Sequence, residues 1–129
     1  MELNINVMTK ISFDNNNLVI EIEGVDKILS LKSHLEIPIS HILSVSQTTD
    51  EAKKWLGLKG IKKLAGSNIP GLISEGTFFD HGLVFLDIHH PENTISIMLK
   101  DEKYKEIIIE VENPEENINS IQDFIKTLL

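Results

Sequence analysis

Alternation with a period of two runs through most of this chain. It narrows the fold more than any other feature, because a strand sends successive side chains to opposite faces of a sheet. In LNINVMTKISF, Leu3, Ile5, Val7, Ile11 and Phe13 share one face; the other is mostly polar, with Met8 the exception. LVIEIE repeats the pattern with Leu18, Ile20 and Ile22. DNNN lies between the two, and its Asp and Asn residues tolerate left-handed backbone, which predicts a hairpin. LISEGTFF, LVFLDIH, TISIML and EIIIEVE also read as strands, and hairpin turns around Pro91 and after Leu99 separate the last three.

Three segments depart from this pattern. GVDKILSLKSH places Val25, Ile28, Leu29 and Leu31 near helical spacing, and LEIPISHILSVSQ then returns to strand character. Pro38 cannot donate to a sheet ladder, so it belongs at an edge or a bend. TTDEAKKWLGLKGIKKLAGSNIPG mixes helix formers, glycines and lysines, and predicts an excursion over 48–70 with one helical turn around Glu51 to Leu56. The chain closes with NPEENINSIQDFIKTLL. Here Asn113 suits an N-cap, Pro114 the first helical position and Glu116 a capping-box acid. Ile118, Ile121, Ile125 and Leu128 form the apolar stripe of the helix that follows, with Phe124 beside it.

Composition bounds the functions open to such a chain. Its 129 residues suit one domain, 1–129, and no window reaches the roughly 18 continuous apolar residues of a membrane span. A net charge of −8, with every basic residue a lysine, argues against nucleic acid and against anionic membranes. Arginine, the usual reader of phosphate and guanine, is absent. The chain has no cysteine, which removes disulfides, thiolate nucleophiles and thiolate metal sites and fits a cytoplasmic setting.

Several residue groups are candidates for chemistry or binding. GSNIPGLISEGTFFDHG carries Gly66, Gly71, Gly76 and Gly82 but lacks both a Walker loop and a dinucleotide fingerprint, so it reads as a turn followed by a bulge. Lys53, Lys54, Lys59, Lys62 and Lys63 cluster around the single tryptophan, Trp55. The cluster reads as a solvated loop or as a basic contact patch, and Trp55 as an anchor to the core or as a hot spot for a partner. Asp87 and His89 share a strand face, and His81 would approach them across a turn; a metal centre built from these three is the sharper alternative to ordinary strand and turn positions. No nucleophile elbow is present. Glu21, Glu23, Glu106, Glu110 and Glu112 sit at alternating or terminal strand positions, where solvated faces are expected.

The order of strands, mid-chain excursion, further strands and capped helix resembles the pleckstrin-homology-like (PH-like) roll. GVDKILSLKSHLEIPISHILSV, GSNIPGLISEGTF and YKEIIIEVENPEENI are similar to segments of small bacterial PH-like proteins, the second through Gly66, Pro70, Gly71, Gly76, Thr77 and Phe78. The third is similar through Tyr104, Val111, Pro114 and Glu115. KGIKKLAGS departs from that pattern by having lysines where an arginine is usual. The resemblance implies a mainly β fold: an antiparallel roll or partly open barrel of about seven strands, capped by a C-terminal helix. The expected function is a cytoplasmic, non-catalytic binding module that needs no cofactor. It would contact an unknown protein or small ligand through Lys53, Lys54, Trp55, Lys59, Lys62 and Lys63. A metal-dependent or ligand-converting protein using Asp87, His89 and His81, and a homo-oligomerising structural protein, are the alternatives.

Overall fold

The computed structural model describes residues 9–22, 34–57 and 62–128. The expected strand through Leu3, Ile5 and Val7, the expected helix around 25–31, Glu23 and Lys59 lie outside these residues, as does the side chain of Lys62. Among the described residues nine strands form two sheets. β1 (Lys10–Asp14), β2 (Asn17–Glu21) and β3 (His34–Pro38) make an antiparallel meander. The DNNN segment closes its first hairpin, with Asn15 in the left-handed region at φ 55°. Pro38 ends β3 on the edge of that sheet, where its missing N–H costs no ladder bond.

A 3-10 turn at Ile39–His41 carries the chain into the second sheet. That sheet contains β4 (Ile42–Gln47), β5 (Lys62–Ile69), β6 (Ile73–Phe79), β7 (Leu83–Ile88), β8 (Thr94–Leu99) and β9 (Glu106–Glu110). The spatial order is β4-β8-β9-β7-β6-β5, antiparallel throughout except for a parallel β7–β9 pair. The mainly β class with a C-terminal helix holds. The expected count of about seven strands and the wholly antiparallel pairing do not: there are nine strands in two sheets and one pairing is parallel, with no closed barrel among the described residues. Ile107, Ile108 and Ile109 explain the difference. Three consecutive apolar side chains need cover on both faces, which only a central strand receives. β9 therefore inserts between β7 and β8, and the turn at Pro91 crosses over it instead of closing a hairpin.

Within the excursion over 48–70 the described residues form α1 (Thr49–Gly57) and β5. Its helix is longer than the expected turn because Ala52, Trp55 and Leu56 bury one face against the sheet. Each face of the second sheet therefore has its own core. Phe85, Ile95, Ile97, Ile107 and Ile109 meet Leu18 and Ile20 of β2, Leu35 and Ile37 of β3, and Ile121 of the C-terminal helix. Phe78, Val84, Leu86, Ile88 and Ile108 meet α1 on the opposite side.

That C-terminal helix, α2 (Pro114–Thr127), places Pro114 at its start as expected. Ile121 is fully buried and Ile118, Phe124 and Ile125 pack around it, but Leu128 is exposed. Phe124 stacks on Phe13 of β1 with ring centroids 4.4 Å apart, so α2 contacts both sheets. Asn113 occupies the N-cap without a capping side-chain bond. Its left-handed backbone (φ 57°, ψ 73°) departs from the extended geometry that aims a cap side chain at the helix N–H groups. Asn117 instead donates through Nδ2 to the carbonyls of Glu112 (2.7 Å) and Asn113 (3.1 Å).

The glycine-rich stretch shapes backbone, as expected. Leu72 N–H donates to the Ile69 carbonyl at 2.9 Å and Gly71 has φ +82°, the arrangement of a turn with Pro70 and Gly71 at its centre. Gly66 and Gly76 face each other across β5 and β6 with φ +124° and +116°. A Cβ on Gly76 would lie 2.1 Å from the Ala65 carbonyl oxygen, so neither conformation nor space admits a side chain. Gly76→Ala is expected to lower unfolding stability by at least ~2 kcal/mol, read by chemical denaturation. Gly57→Ala, with open space around it, should change it by less than ~1 kcal/mol.

Candidate functional site

The lysine and tryptophan group divides on folding. Trp55 is 3% exposed, its ring meets Phe78 edge-on at 5.8 Å, and its carbonyl accepts a 3.0 Å bond from Ser74 Oγ. It is therefore an anchor, and the contact role expected of it does not hold. A helix packed on a sheet needs large apolar side chains on its inner face, and Trp55 lies there with Ala52 and Leu56. The Gly71 N–H donates to the Leu56 carbonyl at 3.0 Å, which ties the β5–β6 hairpin to the end of α1. Lys53 and Lys54 point outward from α1, and Lys63 is exposed on β5.

Among the described residues β5 is the terminal strand of its sheet, and its pairing with β6 shifts register between Lys63 and Ala65. Leu64, Ile69 and Leu72 project from this edge and the adjoining turn with 58%, 49% and 63% of their surfaces exposed. Over 49–69 the chain carries five lysines against two acids, in a protein whose net charge is −8.

The histidines divide too. His81 sits at the tip of the three-residue turn between β6 and β7 with φ 55°, exposed and paired with its neighbour Asp80 at 2.9 Å. His89 follows the other end of β7, so the strand holds the two apart by on the order of 17 Å at ~3.4 Å per residue. The expected approach of His81 to Asp87 and His89 therefore fails. Glu75 of β6 stands in its place, directly across the ladder from Asp87. Glu75 and Asp87 are fully buried, and one ligand atom from each of Glu75, Asp87 and His89 lies within 4.8 Å of the others.

Surrounding bonds position this cluster. Thr9 Oγ1 donates to Asp87 Oδ2 at 2.7 Å, and the Thr9 N–H donates to the Glu110 carbonyl at 3.1 Å. The buried Glu110 carboxylate accepts the His89 N–H at 2.9 Å and also the N–H of His90, whose Nδ1 faces the other carboxylate oxygen at 3.0 Å. His89 Nε2 lies against Glu75 Oε1, without the alignment of a hydrogen bond. Glu75 Oε2 has no hydrogen-bond partner among the described residues.

A further buried acid, on the α1 side of the sheet, stands apart from this cluster. Glu106, expected on a solvated face, is 6% exposed and accepts a 2.6 Å bond from Ser96 Oγ. Burial pushes its pKa up to about 7, against the Ser96 bond, and the like charge of Glu51 on α1 adds to the rise. Glu110 was also expected in solvent, and it is buried because the turn after β7 needs its carboxylate. The alternation correctly placed both residues on one face of β9, but it could not show that α1 and a turn would cover that face.

No family model matches the chain, and no curated protein or solved structure matches it either. No helix among the described residues is long and apolar enough to cross a membrane.

Two measurements follow from these burials. Trp55→Ala should cost about 3–5 kcal/mol of unfolding stability, as expected for emptying a core position. A Glu106 pKa raised in the folded state means that the native chain holds the extra proton between about pH 4.5 and 7. Stability from this group is therefore full below pH 4.5 and is lost as pH rises to about 7. Glu106→Gln should flatten that slope in urea titrations and add about 1–2 kcal/mol above pH 7, after discounting for screening.

Proposed function

We propose that this protein is a non-catalytic binding module that takes up an acidic, extended protein segment along β5. The observation that carries this reading is the edge itself: among the described residues β5 ends the sheet order and no strand pairs with its outer side, which suits the addition of a partner strand. Leu64, Ile69 and Leu72 offer apolar contacts to alternate side chains of such a strand. Lys53, Lys54 and Lys63 add local positive charge to an acidic molecule, which selects an acidic partner and speeds encounter. A second copy of the chain fits less well, because pairing β5 with itself brings its lysines together. Lysines and a register shift are also devices that discourage self-pairing of edge strands. The PH-like resemblance agrees in general type, a β scaffold that presents a surface, and the metal-dependent alternative does not use this edge.

The test uses a ten-residue peptide of alternating glutamate and valine, labelled for fluorescence anisotropy. Binding to the intact protein is expected, weakening as salt rises. The triple variant Lys53→Glu, Lys54→Glu, Lys63→Glu should bind at least ~10-fold more weakly, with an unfolding stability within ~1 kcal/mol of the parent. Equal binding by parent and variant, or none by the parent, would remove this reading.

A further inference from the structure

We propose that Glu75, Asp87 and His89 form a binding site for a divalent transition ion of the zinc class. This inference is independent of the β5 edge and of the partner proposed for it.

The first support is charge. Glu75 and Asp87 face each other on adjacent strands, and both are fully buried. Two ionised carboxylates in that position repel and have lost their hydration, so the site favours positive charge between them. A dication cancels both charges and leaves the imidazole neutral, its ligating form.

The second support is a lone oxygen. Glu75 Oε2 is buried and has no hydrogen-bond partner among the described residues, although buried carboxylate oxygens normally accept at least one hydrogen bond. A metal–oxygen bond would satisfy it. The third is the outer shell, in which Thr9 Oγ1 donates to Asp87 and the Glu110 carboxylate clamps the backbone at His89 and His90. Groups of this kind orient first-row metal ligands.

Ligand chemistry selects the ion. One imidazole and two carboxylates suit Zn²⁺ or Mn²⁺, with water completing the sphere. Calcium requires six to eight oxygens, and magnesium keeps several waters in a strict octahedron, so three side chains in an enclosed position suit neither. The donor atoms, within 4.8 Å of one another, are near the ~3.3 Å separations that ~2 Å bonds to a tetrahedral ion impose. His89 Nε2 lies closer than that to Glu75, so an incoming ion must part this pair.

The experiment is thermal melting and calorimetric titration of chelator-treated protein with ZnCl₂ and MnCl₂, using MgCl₂ and CaCl₂ for comparison. One zinc or manganese ion per chain should bind, raise the melting temperature and be removed by EDTA. Glu75→Gln and His89→Asn should weaken binding by roughly 100-fold or more, and Thr9→Val, which removes only the outer bond to Asp87, by roughly 10-fold. His81→Ala should bind as the parent does. Thr9→Val also keeps the proposal testable if the two ligand variants do not fold. Absence of binding by the parent, or undiminished binding by every variant that folds, would overturn it.

Discussion

The placement of β9 organises the rest of the molecule. Ile107, Ile108 and Ile109 are all fully excluded from solvent, which requires cover on both faces of the strand. The meander and α2 cover one side, and α1 covers the other. Burying these three side chains contributes about 2–3 kcal/mol each, comparable to a large part of the net stability of a typical domain. Most of the topology follows from that demand. β9 lies between β8 and β7, the β7–β9 pair is parallel, and the chain after β7 passes over β9 before returning as β8.

The same crossover creates the buried polar chemistry. A chain that leaves β7 without a hairpin exposes backbone N–H groups to the interior, and such groups need acceptors. The Glu110 carboxylate accepts from His89 and His90, and in doing so it fixes the start of the turn. With that turn fixed, His89 lies against Glu75 and near Asp87. A strand that is central for apolar reasons thus also carries two buried acids, Glu106 and Glu110, one on each side of its isoleucines.

Much of this was legible from residues alone. The DNNN hairpin, the position of Pro38 and the start of α2 at Pro114 all follow from local chemistry acting over a few residues. The pairing of Glu75 with Asp87 was also available. The two are equidistant from His81, and a hairpin turning at Asp80, His81 and Gly82 sets residues equidistant from its centre opposite each other. His81 draws attention as a possible ligand, but its value was as the centre of that reflection. The isoleucine run in EIIIE likewise signals a strand covered on both faces, and so a central one. The fate of Glu106 was not legible, because its burial depends on α1 packing over a face that alternation alone leaves open.

The sequence by itself determined the mainly β class, most strand positions, the C-terminal helix and the acidic charge, because alternation, turn residues and charge act locally or as sums. Tertiary structure alone decided the parallel pair, the burial of Trp55 and Glu106, and the turn that brings His89 beside Glu75 and Asp87. These depend on which distant segment covers a given face. Period-two alternation says that two faces differ, but only packing says what lies against each.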